Sequence, residues 1–162
     1  MKIRLLLAGG TIDKTYNEAD GSFGFTKTYV EDMLKQGRSR ADISIQEVLM
    51  IDSLDMTDEH RRVILKACQD AAEDKIVITH GTDTMAETAR LLGANLSGKT
   101  VVLVGAMIPY SFGNSDAVFN LGSAVTAVQL LVWGVYITMN GKVFAWDNVR
   151  KNKELGEFET LA

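Results

Sequence analysis

Cysteine, proline and histidine are scarce in this sequence. The single cysteine, Cys68, excludes a disulfide within the chain, and the two histidines, His60 and His80, lack the spacing of metal ligands. A net charge of −4 without a basic block disfavours nucleic acid as a partner. No apolar run reaches the length of a membrane span, and the first residues lack the pattern of a signal peptide. We therefore expect a cytoplasmic protein that binds no metal, no nucleic acid and no membrane.

Alternating strand and helix patterns are what the sequence does contain. Its 162 residues, 46% of them hydrophobic, suit one globular domain. Apolar runs predict strands over residues 2–7, 43–48, 76–78, 100–104 and 135–138. Apolar residues at helical spacing predict helices over residues 30–37, 57–71, 85–96 and 116–131. The alternation predicts an α/β fold, in a single domain with a mostly parallel, doubly wound sheet of the flavodoxin or Rossmann type.

Turn signals and polar stretches fill the rest of the chain. The Asn140-Gly141 pair predicts a C-terminal β-hairpin, in which residues 142–145 pair back antiparallel. Residues 8–25 are predicted to form a long loop, and loops of that length in a compact domain are usually functional or mobile. The stretch after Trp146 is polar and charged, so its own pattern predicts a solvated tail.

Two segments follow apolar runs, bend at glycine and present threonine: Leu7–Ile12 (LAGGTI) and Ile78–Thr84 (ITHGTDT). Parallel strands deliver such segments to one sheet edge, where open α/β sheets bind ligands. A threonine hydroxyl needs a base or a polarising neighbour to act as a nucleophile. Thr82 and Asp83 would place a hydroxyl and a carboxylate on a turn whose free N–H groups can hold an anion. The alternative is that residues 82–84 only cap the following helix.

Other familiar sites lack their defining residues. Gly9–Thr11 has neither the third glycine of a dinucleotide fingerprint nor the Gly-Lys-Ser/Thr of a phosphate-binding loop. No Gly-x-Ser-x-Gly motif occurs, which argues against an ordinary serine hydrolase. His80 has two interpretations, a general base or a hydrogen-bonded structural residue. Cys68 has helical spacing to apolar neighbours, which favours a place in the core.

The two glycine–threonine motifs resemble those of the bacterial-type L-asparaginases, in the same order and at that family's spacing. Other stretches agree with the family: Asp52–Met56, Val104–Met107, Pro109, Phe119–Leu121 and Val149–Asn152. The resemblance covers nearly the whole chain but only the N-terminal domain of the usual enzyme, which has a second, smaller α/β domain. We therefore expect residues 1–162 to form one catalytic domain of the N-terminal type, with the second domain absent.

The resemblance implies roles for residues at matching positions. Thr11 resembles the primary nucleophile, on a mobile loop. Thr82 resembles a second threonine that is hydrogen-bonded to Lys151 and helps to activate the attack. Asp83 resembles the carboxylate that receives the α-ammonium group of the substrate. Only the resemblance assigns Lys151 to the site, because its own sequence context predicts a solvated tail.

The resemblance also implies the groups that bind substrate. Ser53 resembles a ligand of the α-carboxylate, assisted by the backbone around Gly81, and Gly10 is also expected among the substrate-binding residues. The carbonyl of Ala106 is expected to help orient the side-chain amide. These positions, with Asp83, make up the expected substrate-binding set.

Three departures from the family weaken parts of this expectation. The loop tyrosine has no clean counterpart: Tyr16 is the catalytic candidate, and Phe23 and Phe25 compete with it. Leu54 stands where many members have a polar residue that touches substrate. The acidic residue that a second domain usually supplies is expected to be missing, and a hydrogen bond to charge is worth on the order of 1–3 kcal/mol. We therefore expect a high apparent KM.

The implied activity is that of an amidohydrolase, which converts L-asparagine to L-aspartate and ammonia through a threonine acyl-enzyme, without metal or organic cofactor. The discrimination between asparagine and glutamine depends on one methylene and stays open. One alternative is an amidase subunit of a transamidation complex. Another is an amino-acid-binding module or an inactive remnant. Self-association is also expected, with a homodimer as the default.

Overall fold

The computed structural model describes residues 1–161. Its strands are β1 (Lys2–Gly9), β2 (Thr15–Tyr16), β3 (Phe23–Gly24), β4 (Asp42–Ile51), β5 (Lys75–Thr79), β6 (Thr100–Val104), β7 (Gly134–Met139), β8 (Lys142–Ala145), β9 (Arg150–Asn152) and β10 (Glu157–Glu159). Its helices are α1 (Val30–Gln36), α2 (Asp58–Asp70), α3 (Met85–Asn95) and α4 (Ala117–Leu130). Short 3-10 turns follow β1, β4 and β6, at Thr11–Asp13, Ser53–Asp55 and Tyr110–Phe112.

The main sheet has six strands in the spatial order β4-β1-β5-β6-β7-β8. The first five run parallel, and β8 joins β7 antiparallel. Numbered along the chain within this sheet, the parallel strands follow the flavodoxin order 2-1-3-4-5. The hairpin between β7 and β8 turns at Asn140 and Gly141, whose φ angles of 56° and 71° suit a type I′ turn. The α/β fold, its mostly parallel sheet and its antiparallel hairpin are therefore confirmed.

Helices cover both faces of this sheet because successive strand residues point to opposite sides. On one face, Ile78 of β5 belongs to the same buried cluster as Cys68 of α2 and Leu92 of α3. On the other face, Val77 belongs to a cluster formed with α1 and α4. The doubly wound arrangement and the core position of Cys68 are confirmed. Burial raises the pKa of the Cys68 thiol to about 12, so the thiol is protonated and unreactive near neutral pH.

Two stretches have more structure than the sequence indicates. Within residues 8–25, the chain forms a 3-10 turn and the short β2–β3 hairpin instead of an irregular loop. The prediction of a solvated tail after Trp146 is wrong, because β9 and β10 pair antiparallel and Phe158 is fully buried. The buried phenyl ring of Phe158 anchors this second hairpin to the main domain.

Among residues 1–161, no helix combines the length and the apolar character that crossing a bilayer requires.

Candidate active site

Two glycine turns, one after β1 and one after β5, lie in direct contact at the carboxyl edge of the sheet. The two strands pair parallel, with Leu7 opposite Thr79, so the turns that follow them emerge side by side. A Cβ atom on Gly10 would lie 2.3 Å from the backbone nitrogen of Gly81, and the φ of Gly10 is +86°. Only glycine combines this backbone angle with so close an approach. Thr11 directly follows Gly10 in the chain, so its backbone lies next to the turn that carries Thr82.

Ser53 packs against the other side of the Gly81 turn. A Cβ atom on Gly81 would lie 2.5 Å from both the Cβ and the Oγ of Ser53. The Thr84 hydroxyl donates a hydrogen bond of 2.8 Å to the Ser53 carbonyl. Ser53 is buried, at the start of the 3-10 turn that follows β4. The structure thus brings Ser53 and Gly81 together, as the sequence-based assignment requires.

The loop after β6 closes a further side of the site. A Cβ atom on Gly105 would lie 2.5 Å from the His80 carbonyl oxygen and 3.1 Å from the Cγ2 of Thr82. The side-chain amide of Asn120 donates a hydrogen bond of 3.0 Å to the Gly105 carbonyl. Ala106, the next residue, is fully buried. The loop therefore presses its backbone onto the Thr82 turn.

Asp116 fixes the same loop, a role that the sequence reasoning missed. Its carboxylate accepts hydrogen bonds from the backbone N–H groups of Met107, at 2.9 and 3.0 Å, and of Ile108, at 3.0 Å. It also accepts one of 2.8 Å from the Asn120 amide. An aspartate at the start of α4 is the signal that could have indicated it, because such residues commonly bond nearby N–H groups.

Lys151 joins the site from the β9–β10 hairpin. Its Nζ donates hydrogen bonds of 2.8 Å to the Thr82 Oγ1 and 2.9 Å to an Asp83 carboxylate oxygen. Its side chain is only 12% exposed, so the solvated placement that its sequence context predicts is wrong. Val149 and Phe158, on either side of Lys151, are buried and anchor this segment, but two isolated apolar residues make no pattern that could have revealed it in the sequence.

The helix-capping interpretation of residues 82–84 is also wrong. Thr84 occupies the N-cap position of α3 but makes no side-chain hydrogen bond to the helix. Its hydroxyl bonds the Ser53 carbonyl instead, and the Thr82 hydroxyl bonds Lys151. Both side chains therefore bond distant segments of the chain instead of the helix. The helix start is therefore left with the free N–H groups that can face an anion.

Of the two interpretations of His80, the structure supports the hydrogen-bonded structural residue. It is fully buried, and its ring nitrogens lie 2.8 Å from the Gly81 carbonyl oxygen and 2.7 Å from the Thr88 hydroxyl. Because Gly81 O can only accept, Nδ1 carries the proton and Nε2 accepts from Thr88. Burial lowers the pKa of His80 to about 4, and the nearby Arg61 charge acts in the same direction. The neutral ring thus braces the Gly81 turn.

We expect this buried histidine to make stability depend on pH. The pKa of His80 is about 4 in the folded protein against 6.5 for the ordinary side chain, so the unfolded chain binds the extra proton more readily. Its stabilising contribution is complete above pH 6.5 and is lost as pH falls toward 4, by roughly 3 kcal/mol over the whole interval. Urea unfolding of the wild type between pH 7 and 5 should show the decline.

His80→Gln is the matched control for this measurement, because glutamine does not titrate there. The variant should start less stable at pH 7 and show a flatter pH profile down to about pH 5, above the range where most carboxylates titrate. Parallel profiles for the two proteins would contradict the assignment.

Tyr16 lies outside this hydrogen-bonded cluster. It is 53% exposed, and its ring packs on Phe23 across the β2–β3 hairpin with centroids 5.4 Å apart. Phe23 in turn lies 5.7 Å from Phe112, on the loop after β6. Phe25 is half-buried. Among the described residues, Tyr16 makes no hydrogen bond to the Lys151 group, so its catalytic assignment stays a prediction.

Comparison with known proteins agrees with this arrangement. A protein-family model described as "Asparaginase, N-terminal" matches residues 2–158. An L-asparaginase from Thermococcus kodakarensis is 34% identical over 165 residues, covering 96% of this chain and 49% of the relative. A solved structure, the thermostable L-asparaginase from the same organism, matches with a TM-score of 0.88 and 34% identity over 99% of this chain and 51% of that one. One component of a glutamyl-tRNA(Gln) amidotransferase from Methanococcus vannielii is 31% identical over 147 residues, 87% of this chain and 34% of the relative. The chain spans about half the length of the L-asparaginases that it matches.

Proposed function

Because this chain belongs to the asparaginase family, through that family's N-terminal domain, we propose that it hydrolyses the side-chain amide of L-asparagine to give L-aspartate and ammonia. One observation carries the proposal. The Lys151 amine bonds both the Thr82 hydroxyl and the Asp83 carboxylate, on a turn that touches the turn of Thr11. An amine bonded to a hydroxyl on the adjoining turn is a neighbour that could activate a nucleophilic threonine.

Substrate binding would use the groups around Gly81. The Asp83 carboxylate, about one-third exposed, would accept the α-ammonium group of asparagine. Ser53 and the backbone at Gly81 would hold the α-carboxylate, close to the start of α3. Gly10 contributes close packing rather than a free donor, because its N–H already bonds the Ile51 carbonyl at 3.1 Å.

The chemical steps would pass through a covalent ester. The Thr11 hydroxyl oxygen attacks the side-chain carbonyl carbon while its proton moves toward the Thr82–Lys151 pair. The carbon–nitrogen bond then breaks, and the nitrogen takes a proton and leaves as ammonia. Water attacks the resulting ester, aspartate leaves, and the Thr11 oxygen regains a proton. The Ala106 carbonyl would accept a hydrogen bond from the amide and so orient it.

Transamidation is the second candidate function, because a component of an amidotransferase is among the similar proteins. The two functions differ in the fate of ammonia, which a hydrolase releases into solution and an amidotransferase passes to a partner. Release of free ammonia without any added protein therefore favours hydrolysis. A cytoplasmic location and a homodimer stay predictions.

An ammonia-release assay with asparagine and glutamine tests the proposal. We expect activity in the wild type and a loss of at least about a hundredfold in both Thr11→Ala and Thr82→Ala. Thr126→Ala, at an exposed position on α4, is the matched control and should keep wild-type activity. Asparagine binding without ammonia release would instead favour an amino-acid-binding module.

A further inference from the structure

Lys14 and Asp52 connect two turns that the proposed reaction must hold in register. Lys14 lies three residues after Thr11, and Asp52 directly precedes Ser53. Their side chains form an ion pair between the turn after β1 and the turn after β4. Neither residue belongs to the group around Lys151.

Asp52 uses both of its carboxylate oxygens. One accepts a hydrogen bond of 3.0 Å from the Leu54 N–H and so caps the 3-10 turn that begins at Ser53. The other contacts the Lys14 amine. Partial burial acts to raise the pKa of the Asp52 carboxyl, but the Lys14 and Leu54 contacts outweigh it and leave that pKa below its usual value. The carboxylate is therefore charged at neutral pH.

Lys14 is connected through its main chain as well. Its N–H donates a hydrogen bond of 3.1 Å to the Thr11 carbonyl, which closes the turn that carries the proposed nucleophile. Its own carbonyl accepts one of 2.7 Å from the Ser111 hydroxyl, on the loop after β6. Lys14 thus contacts the turns that follow β1, β4 and β6.

These contacts complete a closed ring among three turns of the candidate site. Gly10 packs on Gly81, and Gly81 packs on Ser53, which joins the three turns at their base. The Lys14–Asp52 pair joins the turns of Thr11 and Ser53 a second time, farther along each turn. With the pair removed, each turn would keep its glycine contact but gain freedom to pivot about it.

We propose that the Lys14–Asp52 ion pair is a positioning clamp that holds the Thr11 hydroxyl in line with the amide of a substrate bound at Ser53. This inference rests on the proposed hydrolase activity. Neither residue touches the reacting atoms, so both act through the turns that they join. A displacement of about 1 Å in a reacting group can lower a rate on the order of a hundredfold.

The first test separates turnover from binding. Lys14→Met and Asp52→Asn should each lower kcat for ammonia release by about tenfold or more, with KM for asparagine changed by less than about threefold. Asparagine at residue 52 keeps an oxygen that can cap the Leu54 N–H, so that variant removes only the charge. Lys14→Arg should restore most of the activity.

A double-mutant cycle and a salt titration test whether the two residues act together. The variant that carries both substitutions should be no slower than either single variant, because the pair is already broken. Both side chains are about one-quarter exposed, at 22% and 26%, so added salt should weaken the pair and lower kcat in the wild type only. Lys27→Met, which breaks the exposed Lys27–Asp32 pair in the same part of the chain, is the matched control and should leave kcat unchanged.

Hydrogen–deuterium exchange gives a readout that does not depend on activity. Amides of residues 11–16 should exchange faster in Lys14→Met and Asp52→Asn than in the wild type. In Lys27→Met, their exchange rates should equal those of the wild type. If the wild type releases ammonia but kcat and hydrogen exchange are unchanged in Lys14→Met and Asp52→Asn, the clamp alone is overturned. Losses of kcat that add up in the double variant would overturn it as well. A wild type that releases no ammonia would overturn the proposed function, and exchange would still decide whether the clamp exists.

Discussion

Replacing Lys151 with methionine is expected to slow ammonia release from asparagine by at least about a hundredfold. Methionine keeps the apolar stem of the side chain but has no amine to bond the Thr82 hydroxyl at 2.8 Å or the Asp83 carboxylate at 2.9 Å. The Thr82 hydroxyl belongs to a residue only 5% exposed, so water does not readily replace the amine. A proton relay without its nitrogen loses most of its contribution to the rate.

Lys153→Met is the matched control for that result. Lys153 is an exposed lysine two positions away on the same polar stretch. It should keep wild-type kcat, and both variants should unfold within a few degrees of the wild type because the β9–β10 hairpin keeps Phe158 in the core. A Lys151→Met variant within about threefold of wild-type kcat would contradict the proposed role.

Gly10→Ala is expected to be the most destabilising single methyl addition at the site. The new Cβ would meet the Gly81 backbone at 2.3 Å for the nitrogen and 2.5 Å for Cα, and backbone cannot move aside as a flexible side chain can. The φ of +86° adds strain of about 1–2 kcal/mol for any L residue with a side chain. We expect a loss of about 3 kcal/mol or more, which corresponds to a fall in Tm of roughly 6 °C or more. Ammonia release should be lost as well, because the Thr11 turn is pushed off the Thr82 turn.

Gly98→Ala separates the two causes. Gly98 has a similar φ of +71°, but a Cβ there would meet nothing within 4 Å. It should therefore lose only about 1–2 kcal/mol, from backbone strain alone, and keep its activity. Thermal unfolding of both variants measures the difference, which is the steric cost of a Cβ placed between the two turns. Equal losses at the two positions would mean that the turns are not in contact.

The parts of the fold that the sequence predicted are those with strong local signals. Asn140-Gly141 demands a tight hairpin by its own backbone preferences, and the structure has it. Cys68 falls on the inner face of a helix with clear 3.6-residue spacing, and it is buried. In such places, a few neighbouring residues contain all the necessary information.

The β9–β10 hairpin could not be predicted in this way. Its strands are three residues long and rich in charge, so no alternation rises above the pattern of a solvated segment. What orders it is the burial of Phe158 and the bond from Lys151 to Thr82, which spans 69 positions in the chain. Contacts that distant leave no trace in a local pattern, and only the family resemblance indicated Lys151.

The capping interpretation failed for the same physical reason. A threonine before a helix normally bonds the nearest free N–H groups, which makes capping the local expectation. Here the Thr84 hydroxyl has a better partner in the Ser53 carbonyl, 31 positions away. The Lys14–Asp52 pair, separated by 38 positions, was equally invisible in the sequence.

The order in which the elements follow one another along the chain has a consequence during synthesis on the ribosome. The turns of Thr11, Ser53 and Thr82 all follow strands that are made before the β9–β10 hairpin leaves the exit tunnel. A nascent chain that has emerged only as far as residue 149 therefore contains all three turns, yet it lacks the amine proposed to move protons. On this proposal, the chain becomes able to hydrolyse asparagine only after the β9–β10 hairpin has emerged and packed against the domain. Before that point, the growing polypeptide cannot hydrolyse free asparagine.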